Sequence, residues 1–125
     1  MQLIDDYRKG WALRYLREAK AELCAAQKMP YMAASLILEA VKKAQVAVYH
    51  SLGDAASVEA IVHQAIVKQQ SLEEPVLRFL VEIEGMIQQI AVAADLEREK
   101  AFEQADELIQ MASEIVKLFI DEKAD

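Results

Sequence analysis

The chain has few of the residues that interrupt secondary structure. Its 125 residues include three glycines and two prolines, whereas an average composition would supply roughly fifteen of the two together. A β-sandwich or β-barrel of many short strands needs frequent turns that depend on these residues. The scarcity therefore excludes those folds and leaves long elements with few breaks, which indicates α-helices.

Cysteine and long apolar runs are also scarce. Cys24 is the single cysteine, so an intrachain disulfide is excluded, and we expect Cys24 to be a small buried residue in a reducing compartment. No stretch approaches the roughly 18 consecutive apolar residues of a membrane-spanning helix. The segment Met1–Asp6 lacks the basic and apolar regions of a signal peptide. The sequence thus predicts a cytoplasmic protein with no membrane partner.

The charge of the chain is negative and unevenly distributed. A formal net charge of −7 opposes DNA as a partner, because DNA binding depends on basic residues that neutralise phosphates. Residues 7–20, however, carry five basic side chains against Glu18 alone, and residues 95–125 carry ten acidic side chains against four basic ones. Two interpretations stay open. The first and last helices lie side by side and complement each other, or residues 7–20 form a functional basic patch.

Apolar residues recur at three- or four-residue spacing along the whole chain, which is the period of an α-helix with one buried face. The pattern predicts an all-α fold, an antiparallel up-and-down bundle of about five helices with a long N-terminal hairpin, in one domain over residues 1–125. The second helix is apolar on several sides and is expected at the centre. The expected ranges are Leu3–Lys28, Tyr31–Leu52, Val58–Gln70, a fourth helix after residues 71–74, and Asp95–Ile120.

Several residues at the helix ends carry local signals. Gly53 is expected to end the second helix in a left-handed conformation, and Asp54 or Ser57 to cap the third. The run Ser71-Leu72-Glu73-Glu74 matches a capping box for the fourth helix, and Asp95 is the expected cap of the fifth. Gly10 and Gly85 lie inside helices, where they predict close packing against a neighbour.

Motifs for catalysis and for metal binding are incomplete. Glu103-x-x-Asp106 matches half of the magnesium site of MazG-type nucleotide pyrophosphatases, but the Glu-x-x-Glu half is absent, so Glu103 and Asp106 remain the only metal-ligand candidates on this pattern. Glu59 and His63 are one turn apart and form a single pair. The chain lacks a Gly-x-Ser-x-Gly nucleophile elbow and a glycine-rich phosphate loop. We therefore expect no cofactor, and the lack of a complete catalytic motif leans against enzymatic activity but leaves that question open.

One stretch of the first helix combines aromatic and basic residues. Tyr7, Trp11 and Tyr15 recur every four residues, and Arg14 and Arg17 lie between and beside them. Residues of these types fill cores at helical spacing, form protein interfaces, or stack bases and hold phosphate. All three interpretations stay open, and the five residues are the candidates for a partner or ligand site.

The first hairpin and the last helix carry a recurring pattern. An Ala/Leu repeat is followed by a short turn with Tyr, an Ala-rich helix with a central Glu-Ala, and a closing Gly. The residues are Ala19-x-x-x-Leu23-x-x-Ala26, Pro30-Tyr31-Met32-Ala33-Ala34, Glu39-Ala40, Ala44, Tyr49 and Gly53, with residues 102–115 for the final helix. This pattern resembles the HEPN domain family, whose members are small cytoplasmic bundles of about five helices, many of them dimeric.

Catalytic members of this family are metal-independent ribonucleases with an arginine followed, after four to six residues, by a histidine. Neither Arg78 nor Arg98 has a histidine at that distance, and neither His50 nor His63 has an arginine before it there. The resemblance thus implies a non-catalytic module that forms a homodimer, with a nucleotidyltransferase-like protein as a further partner. The alternative is a nucleotide- or phosphate-binding bundle, either a degenerate HEPN ribonuclease or a divergent MazG-like hydrolase.

Overall fold

A computed structural model describes residues 2–68 and 73–124, including the side chains of residues 6–68 and 73–120. Over these ranges the chain forms five α-helices and no strand, which confirms the all-α prediction. The helices are α1 (Gln2–Lys28), α2 (Ala33–Leu52), α3 (Ala55–Val67), α4 (Pro75–Leu96) and α5 (Arg98–Ala124).

Helix α2 is the centre of the bundle, as its apolar pattern predicts. It contacts each of the other four helices, whereas α3 contacts only α2 and α4 within the described chain. Many of its buried positions are small, which lets the neighbouring helices approach closely. The buried residues of α2 are Ala33, Ile37, Ala40, Val41, Ala44, Ala47, Val48, Tyr49 and Ser51.

Helices α1 and α2 form the expected antiparallel hairpin. Trp11, early in α1, contacts His50 near the end of α2, and Glu22, late in α1, pairs with Lys43 nearer the middle of α2. The order of the two contacts is opposite along the two helices, which is the antiparallel arrangement. The turn between them contains a short 3-10 segment, Pro30–Met32, so α2 begins at Ala33 and not at Tyr31.

The end of α2, both ends of α3 and the start of α4 differ in part from expectation. Gly53 has φ 172° and ψ −151°, which is an extended conformation. The prediction that Gly53 ends α2 in a left-handed conformation is therefore wrong. Asp54 caps α3, since its Oδ2 accepts from the Ser57 N–H at 3.1 Å and from the Ser57 hydroxyl at 2.8 Å. The helix therefore begins at Ala55 and not at Val58. At its other end α3 stops at Val67, with Lys68 as the C-cap, and not at Gln70. The expected cap at Ser71 lies outside the described residues.

Glu74 is the residue that caps α4. Its carboxylate accepts hydrogen bonds from the N–H of Val76 at 3.2 Å and of Leu77 at 2.7 Å, and Pro75 occupies the first helical position, where its missing N–H costs nothing. At the other end, Asp95 lies in the last turn of α4 and does not cap α5. The chain reverses at Glu97, whose N–H donates to the Ala93 carbonyl at 2.7 Å and whose carbonyl accepts from Ala101 at 3.0 Å.

Three further residues are placed differently from expectation. Cys24 is exposed and not buried. A Cβ atom added at Gly10 or at Gly85 would meet nothing within 4 Å, so neither glycine is required by a close neighbour.

None of the described helices combines the length and the apolar character that crossing a membrane requires.

Candidate functional site

Helix α1 has two contrasting stripes. The inner stripe faces the core and is small and apolar, with every member at most 5% exposed. It consists of Ala12, Leu16, Ala19, Leu23 and Ala26. The outer stripe runs along the other side of the helix at alternating four- and three-residue spacing, which keeps its members on one helix face. It consists of Tyr7, Trp11, Arg14, Glu18, Ala21 and Ala25, all exposed or half-buried.

The structure brings four of the five sequence candidates together. The rings of Tyr7 and Trp11 meet edge to face with centroids 6.2 Å apart, and Trp11 and Tyr15 lie 5.8 Å apart. The Arg14 guanidinium carbon is 5.2 Å from the centre of the Trp11 ring, within the range of a cation–π contact. Arg17 is exposed on a neighbouring face, and none of the ring contacts or ion pairs between described residues includes it.

His50 of α2 completes this cluster, although the sequence patterns did not select it. Its imidazole stacks on Tyr15 at 5.6 Å with 13° between the planes, and on Trp11 at 6.1 Å with 19°. The antiparallel pairing of α1 with α2 is the sequence feature that could have identified His50. Counting equally from the end of α1 at Lys28 and the start of α2 at Ala33 places His50 opposite Trp11.

Burial lowers the pKa of His50 below the ordinary value of a histidine. Desolvation is the largest cause, the Asp54 carboxylate acts in the opposite direction, and the positive charge of Arg8 lowers the pKa further. The imidazole is therefore held in its neutral form near neutral pH, as an uncharged ring in an aromatic stack. It can accept or donate one hydrogen bond at its outer edge.

An ionic cluster continues the outer stripe toward the turn. Glu18 accepts from the Arg14 Nε at 3.0 Å and pairs with the Lys43 ammonium at 3.1 Å, and Lys43 also pairs with Glu22. Arg14 and then Lys43 lower the pKa of Glu18, while Glu22 and then Glu18 raise that of Lys43. Helix α1 also packs on α5. Among the residues whose side chains the structure describes, however, the ion pairs of α1 are made within α1 and with α2.

The residues singled out for a metal do not form a site. Glu103 is exposed, and the half-buried Asp106 accepts a hydrogen bond from Gln110 Nε2 at 3.0 Å, one turn along the same helix. In the part of the chain that the structure describes, no three His, Cys, Asp or Glu side chains are grouped so that they would hold a metal ion.

A second polar region, which sequence reasoning largely missed, lies in a groove between α2, α3 and α4. Glu59 and His63 line it from α3, and Glu84 lines it from α4, where it accepts a hydrogen bond from Gln45 at 2.9 Å. Tyr49 lines the same groove and is 4% exposed. Burial, followed by the charges of Glu84 and Glu59, raises the pKa of Tyr49 to about 12. The phenol is therefore neutral at physiological pH and available as a hydrogen-bond donor, not as a base.

Of the two regions, the outer stripe of α1 with His50 places more of the predicted residues in mutual contact. It offers a stack of rings, a guanidinium against the indole and a mixed-charge cluster beside them. A scan against models of known families and searches of curated proteins and of solved structures find no match to this chain. The functional argument therefore rests on the residues themselves.

Proposed function

We propose that the protein is a non-catalytic, HEPN-like cytoplasmic module that self-associates through the outer stripe of α1. The observation that carries this proposal is the exposure of a tryptophan–tyrosine–arginine cluster on an ordered helix. Tyr7 is 66% exposed and the Arg14 side chain 59% exposed, and both contact the half-buried Trp11. These three residue types dominate the energetic centres of protein interfaces.

The charge of the outer stripe allows two copies to meet there. Two chains of net charge −7 repel each other through most of their surfaces. The outer stripe carries one basic and one acidic residue, Arg14 and Glu18, and so has no net charge. Contact through it therefore avoids this like-charge repulsion.

The HEPN resemblance extends the proposal to a second kind of partner. Non-catalytic members of that family act beside nucleotidyltransferase-like proteins, and the missing arginine–histidine motif is the reason for comparing this chain with those members. The resemblance implies a bundle of about five helices, and the described chain forms five α-helices. A homodimer of this chain is the primary form in the proposal, and the nucleotidyltransferase-like protein is an additional partner.

Light scattering with size-exclusion chromatography tests self-association. We expect the wild-type protein to elute with the mass of a dimer at high concentration and Tyr7→Ala to elute with a smaller mass under the same conditions. Tyr31→Ala is the matched control, because Tyr31 is fully exposed at the α1–α2 turn and lies outside the outer stripe. A wild-type protein that remains strictly monomeric at high concentration contradicts the proposal.

The stacked rings also favour a second candidate function, the binding of a nucleotide or another phosphate compound. The His50 ring lies nearly parallel to both Trp11 and Tyr15, and the Arg14 guanidinium lies against Trp11, a combination that stacks a base and pairs with phosphate. A ligand bound by the folded state alone raises thermal stability. In a thermal-shift screen of nucleotides with and without Mg²⁺, a shift lost in Trp11→Ala supports this function, and no shift at millimolar nucleotide opposes it.

A further inference from the structure

The outer stripe of α1 has the spacing of a two-helix seam. Its members alternate four and three residues apart from Tyr7 to Ala25, as do the contact positions of a coiled coil. The stripe is about 27 Å long at a rise of 1.5 Å per residue. Within the described chain it is exposed or half-buried along its whole length, so one straight helix could lie against it.

The two halves of this stripe are complementary in size. The half toward the N-terminus carries the large side chains Tyr7 and Trp11, and the half toward the turn carries Ala21 and Ala25. Tyr7 and Ala25 are equally distant from Leu16, and so are Trp11 and Ala21. A stripe of this kind fits its own reversed copy, because each large ring meets a small residue.

The charges of the stripe follow the same symmetry. Arg14 and Glu18 lie two residues before and after Leu16 and carry opposite charges. Reversal about Leu16 therefore places an arginine of each copy opposite a glutamate of the other. Lys43 pairs with Glu18 at 3.1 Å, which holds the glutamate near the middle of the stripe.

We propose that two copies pack with their α1 helices antiparallel and with the twofold axis crossing the outer stripe between Arg14 and Glu18, at the level of the buried Leu16. Tyr7 then lies against the partner's Ala25, Trp11 against the partner's Ala21, and Arg14 against the partner's Glu18. Because a twofold interface repeats each contact, the three pairs occur twice. At the axis, the two arginines and two glutamates alternate in one ionic cluster. This register rests on the proposed self-association and adds the identity of each contact to it.

Charge reversal at the two central positions tests the register. In Arg14→Glu both central residues are acidic, and in Glu18→Arg both are basic, so each variant alone meets a like charge across the axis. We expect each homodimer to weaken by about tenfold or more in dissociation constant, as for like charges set against each other. An equimolar mixture should form a heterodimer with wild-type-like affinity, because each acidic pair then faces a basic pair.

The mixture separates contacts between copies from contacts within a copy. The ion pair between residues 14 and 18 of one helix is broken in each variant and stays broken after mixing, so only an intermolecular contact restores association. Lys20→Glu is the matched control, since Lys20 is exposed outside the stripe and the change in net charge equals that of Arg14→Glu. Sedimentation measures the dissociation constants, and circular dichroism confirms that the variants are helical.

A second substitution tests the size complementarity without involving the ion pairs. Ala21→Glu places a longer, charged side chain against the partner's Trp11, and we expect a dissociation constant raised about tenfold or more. Ala56→Glu on α3 is its control, because Ala56 is an exposed alanine away from α1. A wild-type dimer that is insensitive to Arg14→Glu and to Ala21→Glu overturns the register and leaves self-association standing. A monomeric wild-type protein overturns both.

Discussion

The two stripes of α1 share one helix and differ in nearly every property. The inner stripe is composed of three alanines and two leucines, all buried against the bundle. The outer stripe carries the tryptophan of the chain, an exposed tyrosine and a charged pair. Small residues therefore provide the close contact with α2 and α5, while the largest side chains of α1 lie at the border with solvent. The inner stripe therefore serves folding, and the outer stripe is the surface to which we assign the proposed self-association.

The largest expected effect of a substitution is on the inner stripe. Leu16→Ala removes a side chain that is 4% exposed, and we expect it to lower the free energy of unfolding by about 3 kcal/mol. Leu13→Ala is the control on the same helix, because Leu13 is 40% exposed, and its expected cost is below about 1 kcal/mol. Urea denaturation of dilute protein measures both. Equal losses for the two variants would show that burial does not distinguish the faces of α1.

The outer stripe should give the opposite result. Tyr7→Ala is expected to change the stability of the monomer by less than about 0.5 kcal/mol, since Tyr7 is 66% exposed. The same substitution should weaken self-association about tenfold, as truncation of an interface aromatic does. Urea denaturation and sedimentation of the same samples separate the two quantities. A Tyr7→Ala protein that unfolds easily and associates normally would reverse the roles assigned to the stripes.

Gly10 tests whether the α1 backbone itself is constrained. An added Cβ at Gly10 meets nothing within 4 Å, so Gly10→Ala should raise stability by about 0.5–1 kcal/mol through helix propensity alone. Gly85→Ala on α4 is an equivalent change in equally open space and should give a similar gain. Thermal denaturation compares them. If Gly10→Ala lowers the stability and Gly85→Ala does not, residue 10 must take part in a contact that a single folded chain does not contain.

The smallest expected effect concerns the protonation of His50. Because burial lowers its pKa below 6.5, the folded state favours the neutral ring. The stability that the neutral His50 ring contributes is present above pH 6.5, the pKa in the unfolded chain. It is lost as the pH falls toward the lower pKa of the folded state. Trp11→Ala exposes the imidazole, so its pKa should rise toward the ordinary value. An NMR titration of the His50 ring protons measures the change, and an unaltered pKa would show that Trp11 does not shield it.

The sequence patterns predicted the helices well because local signals determine them. Periodic apolar residues placed α1 within one residue of its observed start, and the central position of α2 followed from its many apolar sides. The ends were less predictable. Asp95 has the side chain of a cap, but α4 continues through it, because the choice between Asp95 and Glu97 depends on how α4 and α5 pack. Cys24 has apolar neighbours in sequence yet lies on the exposed side of α1.

The candidate site was predictable only in its α1 part. The four-residue spacing of Tyr7, Trp11 and Tyr15 is visible in one helix, and the structure confirms that these rings meet. His50 and Lys43 reach the same surface from α2, so their roles depend on the register of the hairpin. The pairing of Gln45 with Glu84 is still less accessible to sequence reasoning, because 39 residues and a further helix separate the two.

Intrinsic fluorescence tests the central claim most directly, since Trp11 is the single tryptophan of the chain and lies in the outer stripe. The proposed self-association predicts that dilution from hundreds of micromolar to below micromolar exposes the indole. The emission maximum should shift to longer wavelength over the same concentrations at which sedimentation shows the dimer dissociating. An emission spectrum that stays constant while the dimer dissociates would place the interface elsewhere and contradict the role of the outer stripe.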